Sequence, residues 1–158
     1  MGSCSVSNEF LCTHSLFGGL TSNELESLRP YLDEKLYQRG EYLLTQNEPN
    51  NRVFFIVSGE VAIQKHSTSD QTEHTLAVMG EGDSFGEMEL IDIQPCAASA
   101  VALKPTKVIT LTNGDLYQLS KVHLKTYTMI IMNLAREISR RLRTADEKLV
   151  LELYAKKS

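Results

Sequence analysis

The chain has 158 residues, of which 42% are hydrophobic and 23% are charged, a composition typical of one soluble globular domain. Sixteen basic residues against twenty acidic ones give a formal net charge of -4, which argues against a protein whose whole surface binds nucleic acid. The three cysteines show no CxxC spacing, so neither a disulfide framework nor a zinc site is expected, and a reducing cytoplasm is the expected location.

The N-terminal part of the chain is expected to contain a tail and then short helices. We assign residues 1–14 to the tail and residues 15–154 to the domain. The segment Thr21-Ser22-Asn23-Glu24 resembles a capping box, and Leu25, Leu28 and Leu32 follow it at helical spacing. No segment approaches the roughly 20 apolar residues of a membrane-spanning helix, so a membrane protein is not expected.

The middle of the chain reads as a series of short β-strands. Runs of β-branched, aromatic and aliphatic residues alternate with turn residues such as Ser58-Gly59-Glu60. The predicted strands cover residues 41–44, 53–57, 61–65, 75–79, 98–103 and 107–111. Many short strands with glycine-rich corners favour an antiparallel barrel or jelly roll over a parallel sheet.

The end of the chain predicts one long helix. From about Lys121 to Tyr154 the sequence contains no glycine or proline, and its apolar residues recur every three or four positions. Two sets of apolar residues recur at intervals of seven, the spacing that lets two helices supercoil: Ile131, Ile138 and Ala145, and Ala135, Leu142 and Leu149. We therefore expect a homodimer formed through this helix.

The segment from Gly80 to Val101 contains the residues that suggest a binding site. Gly86 allows a tight turn after Phe85, and residues 87–92 are expected to form a short helix whose free amides attract an anion. Ala97 and Ala98 are small enough to let a ligand approach the backbone closely. The four histidines are scattered without the spacing of a metal site, so a surface location is expected for each.

Together these motifs resemble the cyclic nucleotide-binding domain of the catabolite activator, protein kinase A regulatory subunit and gated-channel families. The resemblance covers about Leu16 to Tyr154 and rests on the Gly40 corner, the hairpin at residues 57–61, the cassette at residues 80–87 and the final helix. It implies a mainly β fold, a double-stranded β-helix or jelly roll, with N-terminal helices and a long C-terminal helix. It also implies cyclic AMP or cyclic GMP as the ligand.

The resemblance carries over to the site only in part. Glu87 matches the glutamate that accepts a hydrogen bond from the ribose 2'-hydroxyl, and Gly86 matches the glycine that offers an amide nearby. Cys96 stands where a common form of the family has the arginine that neutralises the cyclic phosphate. The candidate ligand-binding residues are Phe85, Gly86, Glu87, Met88, Cys96, Ala97 and Ala98. No catalytic residue, metal or certain cofactor is assigned.

Other departures from the family pattern bear on the same site. Glu89 replaces a small residue, and it either repels a phosphate from the pocket or lies on a solvated helix face. Ala145 and Asp146 replace the Thr-Ser pair that touches adenine in the catabolite activator. The thiol of Cys96 is either an inert filler or a reactive group with a lowered pKa. The arginines at 136, 140, 141 and 143 are expected to form a solvated, ion-paired face.

These observations favour a stand-alone, non-enzymatic regulatory or sensor module of this fold in which cyclic nucleotide binding is lost or altered. An alternative is an authentic weak receptor that obtains its positive charge elsewhere, for instance from Lys104 or a partner subunit. A third hypothesis is an enzyme built on the barrel, but the sequence contains no recognisable catalytic motif. Only four residues follow Tyr154, so direct DNA binding is not expected, and a protein partner is left open.

Overall fold

The computed structural model describes residues 4–157 and contains two four-stranded antiparallel sheets. Their strand orders are β1-β8-β3-β6 and β2-β7-β4-β5, so every neighbouring pair except β4 and β5 comes from distant parts of the chain. This arrangement confirms the predicted jelly roll with helices at both ends. The strands are β1 (Asp33–Tyr37), β2 (Tyr42–Leu44), β3 (Arg52–Ser58), β4 (Val61–His66), β5 (Glu73–Met79), β6 (Ser84–Phe85), β7 (Ser99–Ala102) and β8 (Thr106–Thr112).

The central strand β3 shows why the core has two parts. Successive side chains of a strand point to opposite faces, so a strand that is buried on both faces reads as a continuous apolar run. Phe54 and Ile56 face the interior between the sheets, where the ring of Phe54 stacks on Phe85 with centroids 5.0 Å apart. Phe55 lies in the second core region, where the first sheet packs against the helices. The jelly roll is thereby fixed to its flanking helices.

Among residues 4–157, five α-helices accompany the sheets: α1 (Asn8–Cys12), α2 (Ser22–Leu28), α3 (Glu87–Asp92), α4 (Asn113–Val122) and α5 (Leu124–Ala155). Short 3-10 turns cover Ser15–Phe17 and Arg29–Tyr31. The predicted capping box is present, since the Thr21 hydroxyl accepts from the Glu24 amide and the Glu24 carboxylate accepts from the Thr21 amide. The predicted short helix at residues 87–92 is also confirmed.

Two elements differ from the sequence prediction. Strand β1 was not predicted, because its residues alternate poorly and only its pairing with β8 along the sheet edge defines it. The predicted long helix is confirmed, but it begins at Leu124 instead of Lys121, since His123 leaves helical geometry and separates α4 from α5. Within residues 4–157, no helix is both long and apolar enough to cross a membrane.

The segment that we assigned to an N-terminal tail packs against the domain wherever the structure describes it. Residues 1–3 lie outside the described residues, but Val6 and Leu11 are buried in the core beside the helices. Arg29 holds this segment through its guanidinium, which donates to the carbonyl oxygens of Cys4 at 3.0 Å and Val6 at 2.6 Å. The domain therefore includes at least part of residues 4–14 in its packing.

His14 belongs to this buried segment, so its predicted surface location was wrong. Its ring packs edge-on against Phe10 and Phe55, with centroids 4.4 and 4.6 Å away, and its Nε2 atom has no hydrogen-bond partner. Burial lowers the pKa of His14, although the nearby charge of Glu81 opposes this effect. The folded protein therefore disfavours the charged imidazolium at this position.

We expect the pKa of His14 to make folding less favourable in mild acid. The unfolded chain binds a proton at the ordinary pKa near 6.5, whereas the folded chain resists it, so the free energy of unfolding should fall as the pH drops below about 6.5. The decline should not exceed about 1.4 kcal/mol per pH unit for this group. Urea unfolding between about pH 7 and pH 5 measures it.

The variant His14→Leu should lose this part of the pH dependence. As a control, His66→Leu should keep it, because His66 is exposed and the substitution leaves the buried His14 in place. Equal pH slopes in His14→Leu and the unaltered protein would show that His14 does not cause the decline.

Candidate functional site

Strand β6 and helix α3 are joined by Gly86, and this junction shapes the candidate site. Phe85 pairs with Phe54 of β3, and Gly86 then turns the backbone with φ +85°. A side chain here would be strained, because a Cβ atom would also lie 2.9 Å from the carbonyl oxygen of Arg52. Glycine at this position lets α3 begin directly after the strand.

A cavity of about 190 Å³ opens beside this junction. Six of the seven predicted ligand-binding residues line it, namely Phe85, Gly86, Glu87, Met88, Ala97 and Ala98. The apolar wall was not predicted, and it is formed by Leu44, Ile63, Leu76 and Met79 from strands β2, β4 and β5 of the second sheet. In the sequence, these apolar residues indicate only strands. The sheet topology brings them together on one wall of the cavity.

Cys96 is the predicted residue that does not line the cavity. Its side chain is 2% exposed and lies in the core between the sheets. The backbone is held on both sides, since Cys96 donates to the Glu48 carbonyl at 2.9 Å and accepts from the Asn47 amide at 2.8 Å. Burial raises the pKa of the Cys96 thiol, as does the charge of Glu89. These surroundings favour the inert filler over the reactive thiolate.

Glu87 is the most enclosed charged residue of the cavity, with 1% of its surface exposed. Its Oε1 atom accepts a hydrogen bond from Nη1 of Arg141, whereas its Oε2 atom is buried without a partner. Burial raises the pKa of Glu87, Arg141 opposes that effect, and the charge of Glu89 adds to it. The carboxylate therefore depends on Arg141 for its compensating charge.

Arg141 reaches the cavity from α5, which corrects its assignment to a solvated face. Its Nη2 atom donates to the carbonyl oxygen of Ser84, and its Nε lies 3.4 Å from Oε1 of Glu137 one turn earlier. The expected ion pair within the helix therefore exists, but the same guanidinium also bridges to the cassette. The other arginines fit the prediction better, as Arg140 pairs with Glu137 at 2.7 Å and Arg143 is exposed.

Glu89 also lies in the cavity, which decides between the two interpretations of this residue. It is 8% exposed, and its Oε1 atom accepts a hydrogen bond from the amide of Ala97 at 3.4 Å. Glu89 forms no ion pair with any residue in the described range 4–157. Its carboxylate thus accepts the hydrogen bond of a backbone amide that was expected to face a ligand.

The remaining candidates lie away from the cavity. Lys104 pairs with Glu60 at 3.6 Å and does not line the cavity, so Arg141 is the cation found there instead. Ala145 and Asp146 are exposed on the part of α5 that extends past the barrel. Among residues 4–157, no group of three histidine, cysteine or acidic side chains is arranged to hold a metal.

Comparison with known proteins agrees with this fold. Residues 34–123 match the sequence profile of the family described as "Cyclic nucleotide-binding domain". The chain belongs to this family. A relative from Thermus thermophilus, named cyclic AMP receptor protein, is 34% identical over 136 residues, which cover 86% of this chain and 61% of that protein. The chain thus spans less than two thirds of that relative's length.

Two solved structures share the fold of this chain. One is a cyclic nucleotide-binding domain from Methylobacillus flagellatus, with a TM-score of 0.82 and 29% identity, covering 91% of this chain and 80% of that one. The other is a variant of the regulatory subunit of a cAMP-independent protein kinase A from Trypanosoma brucei, with a TM-score of 0.69. At 22% identity, covering 81% of this chain and 44% of that one, this likeness shows the fold alone.

We expect Arg141→Ala to destabilise this member of the family, because the variant leaves the buried Glu87 carboxylate without its cation. Loss of a partner by a buried polar group costs about 1–3 kcal/mol. The added substitution Glu87→Gln should recover part of this loss, since a neutral amide needs no counter-charge. Urea unfolding of the single and double variants measures both effects.

The matched control is Arg143→Ala, two positions further along α5 on an exposed site. It should change the free energy of unfolding by no more than about 0.5 kcal/mol. If Arg141→Ala behaves like Arg143→Ala, the contact with Glu87 does not stabilise the fold.

Proposed function

We propose that the chain is a regulatory module of the cyclic nucleotide-binding family in which binding of cyclic AMP and cyclic GMP is lost or strongly weakened. The observation that carries this proposal is the Glu89 carboxylate, which lies in the cavity and accepts from the Ala97 amide. A second carboxylate, Glu87, lines the same cavity. An anionic ligand would have to displace one negative charge and approach another.

The missing arginine adds to this effect. The residue at position 96 is a cysteine whose side chain lies in the core, so it offers no positive charge to a phosphate. Hydrogen bonds to charged groups contribute roughly 1.5–3 kcal/mol, and about 1.4 kcal/mol corresponds to a factor of ten in affinity. Loss of one such bond therefore weakens binding by roughly 10- to 150-fold.

The variant of the Trypanosoma brucei protein offers a parallel to this site. That protein is described as cAMP-independent, and the variant bound to cAMP carries a glutamate-to-alanine replacement and, seven positions later, a threonine-to-arginine replacement. Glu89 and Cys96 have the same separation in this chain. The parallel supports testing these two positions together.

A second candidate function is an authentic but weak cyclic nucleotide receptor. It is favoured by Glu87 and Gly86, which both line the cavity, and by Arg141, which brings a guanidinium there from α5. In the present structure that guanidinium is already bound to Glu87 and to the Ser84 carbonyl oxygen. A phosphate would therefore need to compete with both of these groups.

Titration with cyclic AMP and cyclic GMP distinguishes the two candidates. We expect little or no heat from the unaltered protein and an affinity gain of about tenfold or more in the double variant Cys96→Arg, Glu89→Ala. The arginine supplies a two-pronged donor, and the alanine removes the opposing carboxylate. The gain should be incomplete, because Ala145 and Asp146 lack the hydroxyl partners for the purine.

The two single variants are the controls, and each should gain less than the double variant. Circular dichroism and thermal unfolding of all variants establish that an arginine at the buried position 96 is accommodated. A folded double variant that gives neither heat nor a thermal shift would exclude a receptor with a degenerate phosphate site. Tight binding by the unaltered protein would instead support the authentic receptor.

We also propose a homodimer that forms through the distal part of α5. All residues of this helix from Leu142 to Ala155 are exposed, including Leu142, Leu149 and Leu153, which lie on one face of the helix. An apolar stripe on a helix that projects from its own barrel is typical of a helix that packs against a partner helix. Leu142 and Leu149 continue the seven-residue interval that begins at Ala135.

The dimer prediction is tested by sedimentation at micromolar concentration. The unaltered protein should sediment as a dimer, and Leu142→Glu with Leu149→Glu should shift it to a monomer because two charges would be buried in the interface. The control Thr144→Glu adds one charge at an exposed position off the predicted stripe and should leave the dimer intact. A monomer before any substitution would contradict the proposal.

The remaining expectations from the sequence stay proposals. A non-enzymatic role agrees with relatives named as a cyclic AMP receptor protein and a global transcriptional regulator. A protein partner of this module also stays a proposal. A cytoplasmic location is likewise proposed from the cysteine pattern alone.

A further inference from the structure

The charges that line the cavity do not cancel. Two carboxylates, Glu87 and Glu89, and one guanidinium, Arg141, give the lining a formal charge of -1. The positive charge of Arg141 also compensates a third carboxylate, because Oε1 of Glu137 lies 3.4 Å from its Nε atom. The uncompensated charge therefore belongs to Glu89, which has no ion-pair partner among residues 4–157.

The two carboxylates also leave hydrogen-bonding capacity unused. Glu87 is 1% exposed, and its Oε2 atom has no partner. The hydrogen bond from the Ala97 amide to Glu89 is long, at 3.4 Å. The free oxygen of Glu87 is itself buried, so Glu89 is the carboxylate that a molecule in the cavity can reach. An ionised carboxylate only accepts hydrogen bonds, so such a molecule must donate. Buried charges are normally paired, so a donor that is also a cation suits Glu89 best.

The rest of the cavity sets the size and character of such a donor. Leu44, Ile63, Leu76 and Met79 form an apolar wall that suits a hydrocarbon body. The volume of about 190 Å³ is below the roughly 300–1,000 Å³ typical of pockets for drug-sized ligands. A small molecule with one charged end and one apolar end matches this combination.

We propose that the cavity binds a small organic cation with an apolar body. Its ammonium or amidinium group donates to the carboxylate of Glu89, and its body packs on the wall of Leu44, Ile63 and Leu76. This inference rests on the proposed loss of cyclic nucleotide binding, because a phosphate in the same place would reverse the charge preference.

A series of probes with one apolar body and three charges tests the proposal. The probes are phenethylamine as the cation, 2-phenylethanol as the neutral molecule and phenylacetate as the anion, each titrated at millimolar concentrations and followed by protein NMR. We expect phenethylamine to bind at least tenfold more tightly than the other two. Its binding should shift the amide signals of Ala97 and Ala98, which line the cavity.

Two variants show whether the preference for the cation depends on a charge in the cavity or on a charge at the surface. Glu89→Gln keeps the side-chain length but removes the charge, and it should abolish the preference for phenethylamine. Asp92→Asn removes a charge from an exposed position on the same helix and should leave the preference unchanged. The NMR spectra of both variants show directly whether the fold is retained.

The outcomes distinguish this inference from the proposed function. Failure of phenethylamine to bind, equal binding of all three probes, or an unchanged preference in Glu89→Gln would each overturn the inference. If cyclic AMP also fails to bind in such a case, the proposed loss of cyclic nucleotide binding stands by itself. Preference for phenylacetate together with tight cyclic AMP binding would overturn both.

Discussion

The buried carboxylate of Glu87 is the constraint on which the rest of the site depends. A carboxylate that is 1% exposed requires a compensating charge, and the cation that provides it comes from α5, 54 positions later in the chain. Arg141 also binds the Ser84 carbonyl oxygen, so one guanidinium joins the end of β6, the start of α3 and the middle of α5. The position of the long helix is thereby tied to the cassette.

This contact also divides α5 into two parts with different roles. Before it, Ile130 and Leu134 are fully buried, and the Asn133 side chain donates to the carbonyl oxygens of Leu16 and Gly18 at 2.9 Å. After it, every described residue of the helix is exposed. The first part is a component of the domain core, whereas the second is exposed along its described length.

Features that depend on neighbouring residues in the sequence were predicted correctly. The apolar run of β3, the capping box at Thr21 and the short helix at 87–92 each follow from neighbouring residues, and the structure contains all three. The partner of Glu87 does not follow from spacing. Arg141 has a suitable partner within its own helix in Glu137, so the local pattern was satisfied without revealing the contact with the cassette.

Cys96 and Glu89 show the same limit at the site itself. The sequence revealed that an arginine was absent, but a cysteine is small and apolar enough to turn into the core, and only the packing between the sheets decides that it does. For Glu89, helical spacing allowed either face. In the structure, Glu87 and Leu90 are three positions apart and both are buried. Glu89 lines the cavity, whereas Ile91 is exposed.

A ligand changes the position of α5 only if it binds differently to the docked and released states of the helix. Glu87 and Arg141 already satisfy each other without a ligand, so docking of the helix does not require one. A ligand that donates to the paired oxygen of Glu87 competes with Arg141, and one that accepts from Arg141 competes with Glu87. Either kind weakens the same contact, whereas a ligand confined to Glu89 and the apolar wall leaves it intact. Binding in the cavity therefore affects the position of the exposed part of α5 only to the extent that the ligand competes for the contact between Glu87 and Arg141.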